Sequence, residues 1–258
     1  MTILFHEIVY GPIHSRRMGT SLGVNLLPCD GKLCSFDCIY CECGFNKDFR
    51  TKTKLPGREL VKAAMEDKLK SLREEGTKLD VITFAGNGEP TMHPEFEKII
   101  DDTITLRNRY YPQTQISVLS NGMYLSKKSV FDALQKVENP ILKLDSAFDE
   151  TVRLIDRPNA PAYTVAKQVA RYKKFQVSFI LQTLFLKGTF EGNIIDNTTE
   201  KEISAWLSLV RELRPREVMI YTIDRETPAR GLEKAPLALL QKISARVKEL
   251  GIKTNVAG

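Results

Sequence analysis

Long apolar runs are missing from these 258 residues, and none approaches the roughly 20 residues that a membrane-spanning helix needs. The opening MTILFHEIVYGPIHSRR has neither a basic leader nor a small-residue cleavage site, so no secretion signal is read there. A cytoplasmic protein is expected. Cysteine is almost absent too: the five present all lie between Cys29 and Cys43. Disulfide scaffolds spread paired cysteines along small secreted chains, so an odd, local cluster argues against one and for a metal. Histidine is scarce, and His6, His14 and His93 show no pairing that would make a triad or a zinc site. Internal repeats, low-complexity tracts and a linker are also lacking. One domain over 1–258 is expected, with an extension at 1–20 leading to a cysteine loop at 29–44. The net charge of +6 is dispersed rather than gathered into an arm. It reads as a solvated surface compatible with an anionic partner such as nucleic acid.

From about residue 59 two textures alternate. Helical spacing of Leu60, Ala64, Leu69 and Leu72 stops at Gly76, and the short β-rich run DVITFAG follows. The alternation continues with helices at 94–109, 126–137, 161–173, 199–212 and 236–250. Between them lie strands at 115–120, 141–147, 176–185 and 217–223, with an earlier strand at 21–28. Six β/α units in regular order predict a parallel sheet covered by helices. Right-handed crossovers would curl six such units into a partial (β/α)6 TIM-like barrel with outer helices. A doubly wound open sheet is the alternative.

Parallel α/β folds place their chemistry at the carboxyl ends of the strands. Those ends lead here into the cysteines, GNGEP (86–90), Ser120-Asn121-Gly122, DSAFD (145–149), QTLFLKG (182–188) and YTIDRE (221–226). Cys34, Cys38 and Cys41 have C-x3-C-x2-C spacing. Three thiolates in one short loop can hold three corners of a four-iron cluster and leave the fourth iron open. With Cys43 as a fourth ligand, the same loop would instead be a zinc knot.

CSFDCIYC, with Tyr40 before its third cysteine, together with GNGEP, resembles the radical S-adenosylmethionine (radical SAM) superfamily. YGPIHSRRMGTSLGVNLLP, LKLDSAFDETVRLIDRP and MIYTIDRETPA resemble its wyosine-synthase-like group of iron–sulfur oxidoreductases. The resemblance implies a [4Fe–4S] cluster on Cys34, Cys38 and Cys41, its open iron chelated by S-adenosylmethionine (SAM). It also implies SAM contacts at Tyr40, at Gly86, Asn87, Gly88, Glu89 and Pro90, and at Ser120, Asn121, Ser146 and Tyr221. A flavodoxin or ferredoxin would supply an electron, and a 5′-deoxyadenosyl radical would abstract hydrogen from a substrate. Characterised members of that group rebuild a guanosine in tRNA and carry a second cluster on three further cysteines. This chain has only Cys29 and Cys43 to spare.

On the substrate side, strand alternation turns Lys143 and Asp145 inward, away from Leu142 and Leu144, as catalytic candidates or as a satisfied ion pair. Ser178 and Gln182 share a face by the same rule. Arg16, Arg17 and Arg157 offer planar forks for an anionic substrate, with Gln182 beside them. RNA is the first substrate expectation, and a small molecule or peptide the second. The rival class is a zinc-knuckle nucleic-acid binder, with Phe36, Tyr40, Phe45, Lys47 and Arg50 interleaved around the cysteines.

Overall fold

The computed structural model describes residues 3–15, 18–48, 51–175 and 178–258. Its contacts divide into two compact units, one of Leu4–Cys34 and Asn46–Pro140, the other of Met1–Ile3, Ser35–Phe45 and Ile141–Gly258. Among the described residues no helix is long and apolar enough to cross a membrane.

The first of these units begins with β1 (Val9–Ser15), antiparallel to β2 (Gly19–Val24). Helix α1 (Arg58–Glu74) then leads to β3 (Val81–Phe84), α2 (Phe96–Tyr110) to β4 (Gln115–Ser120), and α3 (Lys128–Gln135) follows. Strands β2, β3 and β4 run parallel, with Leu22 opposite Ile82 and Ile82 opposite Ile116. All four residues of β3 are buried, as expected of a strand covered on both faces. The buried stripe of α1 is Val61, Met65, Leu69 and Leu72: Leu69 and Leu72 are those read from the sequence, while Leu60 and Ala64 give way to the residues that follow them. Leu60 is 58% exposed. Steps of four, four and three keep one helix face toward the sheet, whereas the five-residue step from Ala64 to Leu69 leaves that face.

The second unit carries β5 (Asn139–Lys143), α4 (Asp149–Ile155), α5 (Val165–Tyr172) and β6 (Ile180–Leu184). Next come β7 (Leu186–Phe190), β8 (Asn193–Asp196), α6 (Glu200–Leu213), β9 (Glu217–Tyr221), β10 (Leu232–Lys234), α7 (Leu237–Glu249) and β11 (Lys253–Ala257). The parallel order is β5–β6–β9–β11. Strand β6 starts at Ile180, so Ser178 precedes it, exposed, and does not share a strand face with Gln182. A small antiparallel sheet, β10–β7–β8, stands apart from that ladder. It was not foreseen, and neither were β1, α4 and β11. Trp206 of α6 is 1% exposed, packs edge-on against Phe185 at 5.3 Å and donates its indole N–H to the Leu144 carbonyl.

Candidate active site

In the first unit the chain leaves β3 through Gly86-Asn87-Gly88-Glu89-Pro90. Gly88 has φ +139°, and a Cβ there would lie 1.9 Å from the Leu33 carbonyl oxygen. Gly86 has φ +123°, and a Cβ there would lie 2.6 Å from Asn25 Oδ1. Only glycine lets the backbone come this close. The contact is a parallel bridge between Leu33 and Gly88: Leu33 N donates to Asn87 O (2.9 Å) and Glu89 N to Leu33 O (3.2 Å). GNGEP is therefore hydrogen-bonded to the residue that precedes Cys34.

Asn87 is wholly buried, and its side chain serves the backbone. Its amide donates to Phe5 O (2.8 Å) and Pro28 O (2.9 Å), and its Oδ1 accepts from Phe5 N (2.8 Å). Glu89, 2% exposed, ends the turn with a carboxylate ringed by donors. Oε1 accepts from Thr91 N (3.1 Å), Thr91 Oγ1 and Ser120 Oγ (2.8 Å), and Oε2 accepts from Asn121 N (2.7 Å). Burial pushes the Glu89 carboxyl above its ordinary range, and these donors oppose that push. The ends of β3 and β4 thus meet on one carboxylate. Asn121 goes further, donating from Nδ2 to Cys34 Sγ at 3.8 Å.

Cys34 is held at its backbone by Asn46, whose Oδ1 accepts from Cys34 N (3.1 Å) and whose Nδ2 donates to Cys34 O (3.2 Å). Asp30 accepts from Lys52 N (2.9 Å) and from the hydroxyls of Thr51 and Thr53, each at 2.6 Å. Residues on either side of the cysteine loop are thereby joined.

In the second unit the rest of the loop lies along the end of α4, with Asp37 N donating to Asp156 O (3.0 Å) and Ile39 N to Ile155 O (2.9 Å). Ile39 is buried in a cluster with Phe45, Ile155, Leu184, Leu186 and Ile195. Turns follow, Cys41 N donating to Cys38 O (3.1 Å) and Gly44 N to Cys41 O (2.9 Å). The C-I-Y-C string therefore combines an apolar anchor, Ile39, with a half-buried ring, Tyr40.

Tyr40 is fixed by a buried ionic group. Its hydroxyl donates to Asp145 Oδ2 and lies 3.3 Å from Asp156 Oδ1, and Lys143 Nζ sits 4.5 Å above its ring. Lys143 also bonds Asp145, and its Nζ is 3.1 Å from Asp156 Oδ1. Burial alone would depress the Lys143 ammonium, but Asp145 and Asp156 together hold it well above its usual range. It stays a cation with no lone pair to attack a substrate. Burial, then repulsion by Asp145, pushes the Asp156 carboxyl up to about 8, against the pull of Lys143.

Of the other expected residues, Ser146 donates to Glu202 Oε2 (2.6 Å) and accepts from Phe148 N (2.9 Å). The Tyr221 hydroxyl accepts from Gln182 Nε2 (2.6 Å) across neighbouring strands. Arg157 stacks over Phe45 at 5.5 Å and Phe190 at 5.3 Å. Arg16 and Arg17 lie outside the described residues, as does Arg50.

The profile of the Radical SAM superfamily matches residues 30–197. This chain belongs to the radical SAM superfamily. That makes it an enzyme of this class and displaces the zinc-knuckle alternative. A UPF0026 protein of Methanocaldococcus jannaschii is 26% identical over 260 residues, 96% of this chain and 74% of that protein. A Brachyspira hyodysenteriae protein named GTPase Obg is 29% identical over 222 residues, 85% of this chain but only 30% of its own length. Among solved structures, a radical SAM methyltransferase from Sphaerobacter thermophilus has TM-score 0.67 at 16% identity, covering 92% of this chain and 65% of that one. Streptococcus suis SuiB bound to S-adenosylmethionine has TM-score 0.64 at 15% identity, covering 89% of this chain and 49% of that one. TYW1 with a lysine-pyruvate adduct bound has TM-score 0.60 at 13% identity, covering 90% and 74%. These likenesses show the fold, the mostly parallel partial barrel of radical SAM enzymes, and displace the doubly wound sheet.

Several residues around this radical SAM core were not singled out from the sequence: Asn25, Asp30, Asn46, Asp156 and Asn197. Asn197 donates to Asp145 O (2.9 Å) and Leu184 O (2.7 Å), joining two strand exits. Asp156 had a visible signal, since it directly precedes Arg157, which was singled out as an anion-binding candidate.

Proposed function

We propose that this radical SAM enzyme holds a [4Fe–4S] cluster on Cys34, Cys38 and Cys41 and binds SAM against it. Bound there, cluster and SAM would supply one-electron reductive cleavage of the sulfonium and, through it, removal of a hydrogen atom from substrate, with the electron coming from an external donor protein. The observation that carries this reading is the hydrogen-bonded unit formed by Glu89, Ser120, Asn121 and Cys34 at the ends of two parallel strands. The donor set fits the cluster: three thiols within eight residues, none in a disulfide and each half-buried. Among the described residues no ready-made group of three His, Cys, Asp or Glu side chains stands at metal-holding geometry. Support for iron is therefore the cysteine chemistry, its spacing and the family.

The chain's own part is orientation. The Gly86–Pro90 segment, held against Leu33, is the proposed receiver of the SAM methionine group, with Glu89 supplying the carboxylate for its ammonium. Asn87 supports that segment from behind, through Phe5 and Pro28. Tyr40, pinned at its hydroxyl and backed by Lys143, is a fixed wall for the adenine. Ser120, Ser146 and Tyr221 act mainly through the groups they already hold. Lys143, Asp145 and Asp156 set the position and charge of that wall, and Gln182 and Arg157 remain the proposed substrate side, with Arg16 and Arg17. A flavodoxin- or ferredoxin-type protein is the proposed electron donor.

The proposed substrate is a nucleoside within RNA, supported by the net charge of +6 and the sequence likeness to the wyosine-synthase-like group. Iron and sulfide analysis of the anaerobically reconstituted protein tests the cluster: about four irons per chain are expected, lost on Cys34→Ser, Cys38→Ser or Cys41→Ser. Retention of iron by all three variants would overturn the assignment. Deuterium uptake into 5′-deoxyadenosine from deuterated RNA, but not from deuterated peptide, would support the substrate class, and the reverse would overturn it.

A further inference from the structure

We infer that Asn121 is a positioning residue for electron transfer: its side-chain amide donates an N–H···S hydrogen bond to Cys34 and holds the reduction potential of the cluster up. This rests on the reading that Cys34 is a cluster ligand, and it reassigns Asn121 from SAM to sulfur.

The orientation of the amide is set by its other end. Asn121 Oδ1 accepts from Met123 N at 3.0 Å, so the nitrogen, not the oxygen, faces Cys34 Sγ at 3.8 Å. Reversal would turn the carbonyl oxygen on the sulfur lone pairs and the amide hydrogens on the Met123 N–H, two repulsions in place of two bonds. Both partners are fixed. Asn121 N donates to Glu89 Oε2 at 2.7 Å, and Gly122 turns the chain at φ +72° just beyond it. Asn46 holds Cys34 by both its N–H and its carbonyl. Asn121 is 6% exposed, so water does little to screen its dipole.

Reduction adds one electron to the cluster and its thiolates. A buried N–H dipole aimed at a ligand sulfur stabilises that more negative state over the oxidised one. The same residue hydrogen-bonds to Glu89, the proposed partner of the SAM ammonium. One side chain and its own backbone N–H therefore touch both the electron-accepting centre and the cofactor-binding turn.

The test uses the full chain, reconstituted anaerobically and without SAM. Wild type, Asn121→Ser and Asn121→Asp are titrated by spectroelectrochemistry. Each variant keeps an oxygen to accept from Met123 N; aspartate has no donor for the sulfur, and the serine hydroxyl sits one atom farther back, out of reach of a sulfur already 3.8 Å from Asn121 Nδ2. Both are expected to hold the wild-type iron content and to become harder to reduce: at the poise that half-reduces wild type, their reduced fraction falls several-fold. Pulsed EPR of the reduced cluster, with asparagine labelled by nitrogen-15, is expected to show a nitrogen coupling in wild type that Asn121→Ser lacks. Unchanged potentials, or no asparagine coupling in wild type, would overturn the inference while leaving the cluster assignment standing. Absence of any four-iron signal in wild type would overturn both. Should neither variant fold, Asn46→Asp, which removes the other asparagine nitrogens beside Cys34, decides: a coupling that persists there supports Asn121 and one that vanishes overturns the inference.

Discussion

Replacing Asp156 by asparagine should barely change stability below pH about 4 and should remove a loss of stability that the wild type suffers as pH rises from there. Asp156 sits 2% exposed beside Asp145 and Lys143, with its carboxyl pushed from an ordinary 3.8 up to about 8. At pH 7 that leaves it protonated by roughly ten to one. Its Oδ1 faces Lys143 and Tyr40, and its side chain shares a hydrogen bond with Asp145. An asparagine can present its oxygen to the first two and its N–H to the third. Between pH about 4 and about 8 the folded wild type keeps a proton that the unfolded chain has released. Its stability therefore falls as pH rises, by about 1.4 kcal/mol per pH unit for this one group. From pH 5 to pH 7 the wild type should lose about 2.7 kcal/mol relative to Asp156→Asn. For a chain of this size that is roughly 5–11 °C in Tm. Thermal unfolding of both proteins at half-unit pH steps measures it directly. Parallel profiles would refute the reasoning, because they would mean that Asp156 is ionised in the folded state.

Removing the cation should be far more costly. Lys143→Met leaves the buried Asp145 carboxylate without its cation, and a loss of about 3–5 kcal/mol is expected at pH 7. Denaturant midpoints of the two proteins would show it. Gly88→Ala drives a methyl group to 1.9 Å from the Leu33 carbonyl at φ +139°, so about 3 kcal/mol or more should be lost, visible as a lowered Tm even without iron. Cys43→Ser should leave iron content unchanged, since Cys43 is 7% exposed and outside the C-x3-C-x2-C triplet. Equal iron loss in Cys43→Ser and Cys34→Ser, measured by metal analysis, would contradict that.

Much of the α/β order was legible because strand and helix textures alternate. Gln115–Ser120 forms a strand with the bounds read from the sequence, and α1 ends where its apolar spacing does. The β7–β8–β10 sheet was hidden because β6 and β7 are separated by one residue, Phe185, inside a single apolar run. Nothing in local pattern marks the change from a parallel ladder to an antiparallel one. Helix α4 was masked by its seven residues, too short for a periodic stripe. The cysteines and GNGEP were legible because their spacing is local. Their connection through Leu33 and Gly88 was not, since it depends on strands brought together by tertiary folding. The ionic group around Tyr40 falls in the same class: Lys143 and Asp145 were visible as a pair two apart, but Tyr40 and Asp156 are 116 residues apart.

The most direct test of the central claim is formation of 5′-deoxyadenosine. The anaerobically reconstituted protein is mixed with SAM and dithionite and the product is quantified by chromatography. The proposed chemistry predicts 5′-deoxyadenosine and methionine in equal amounts, abolished in Cys34→Ser, Cys38→Ser and Cys41→Ser. A fully loaded, reducible four-iron protein that leaves SAM intact would contradict it.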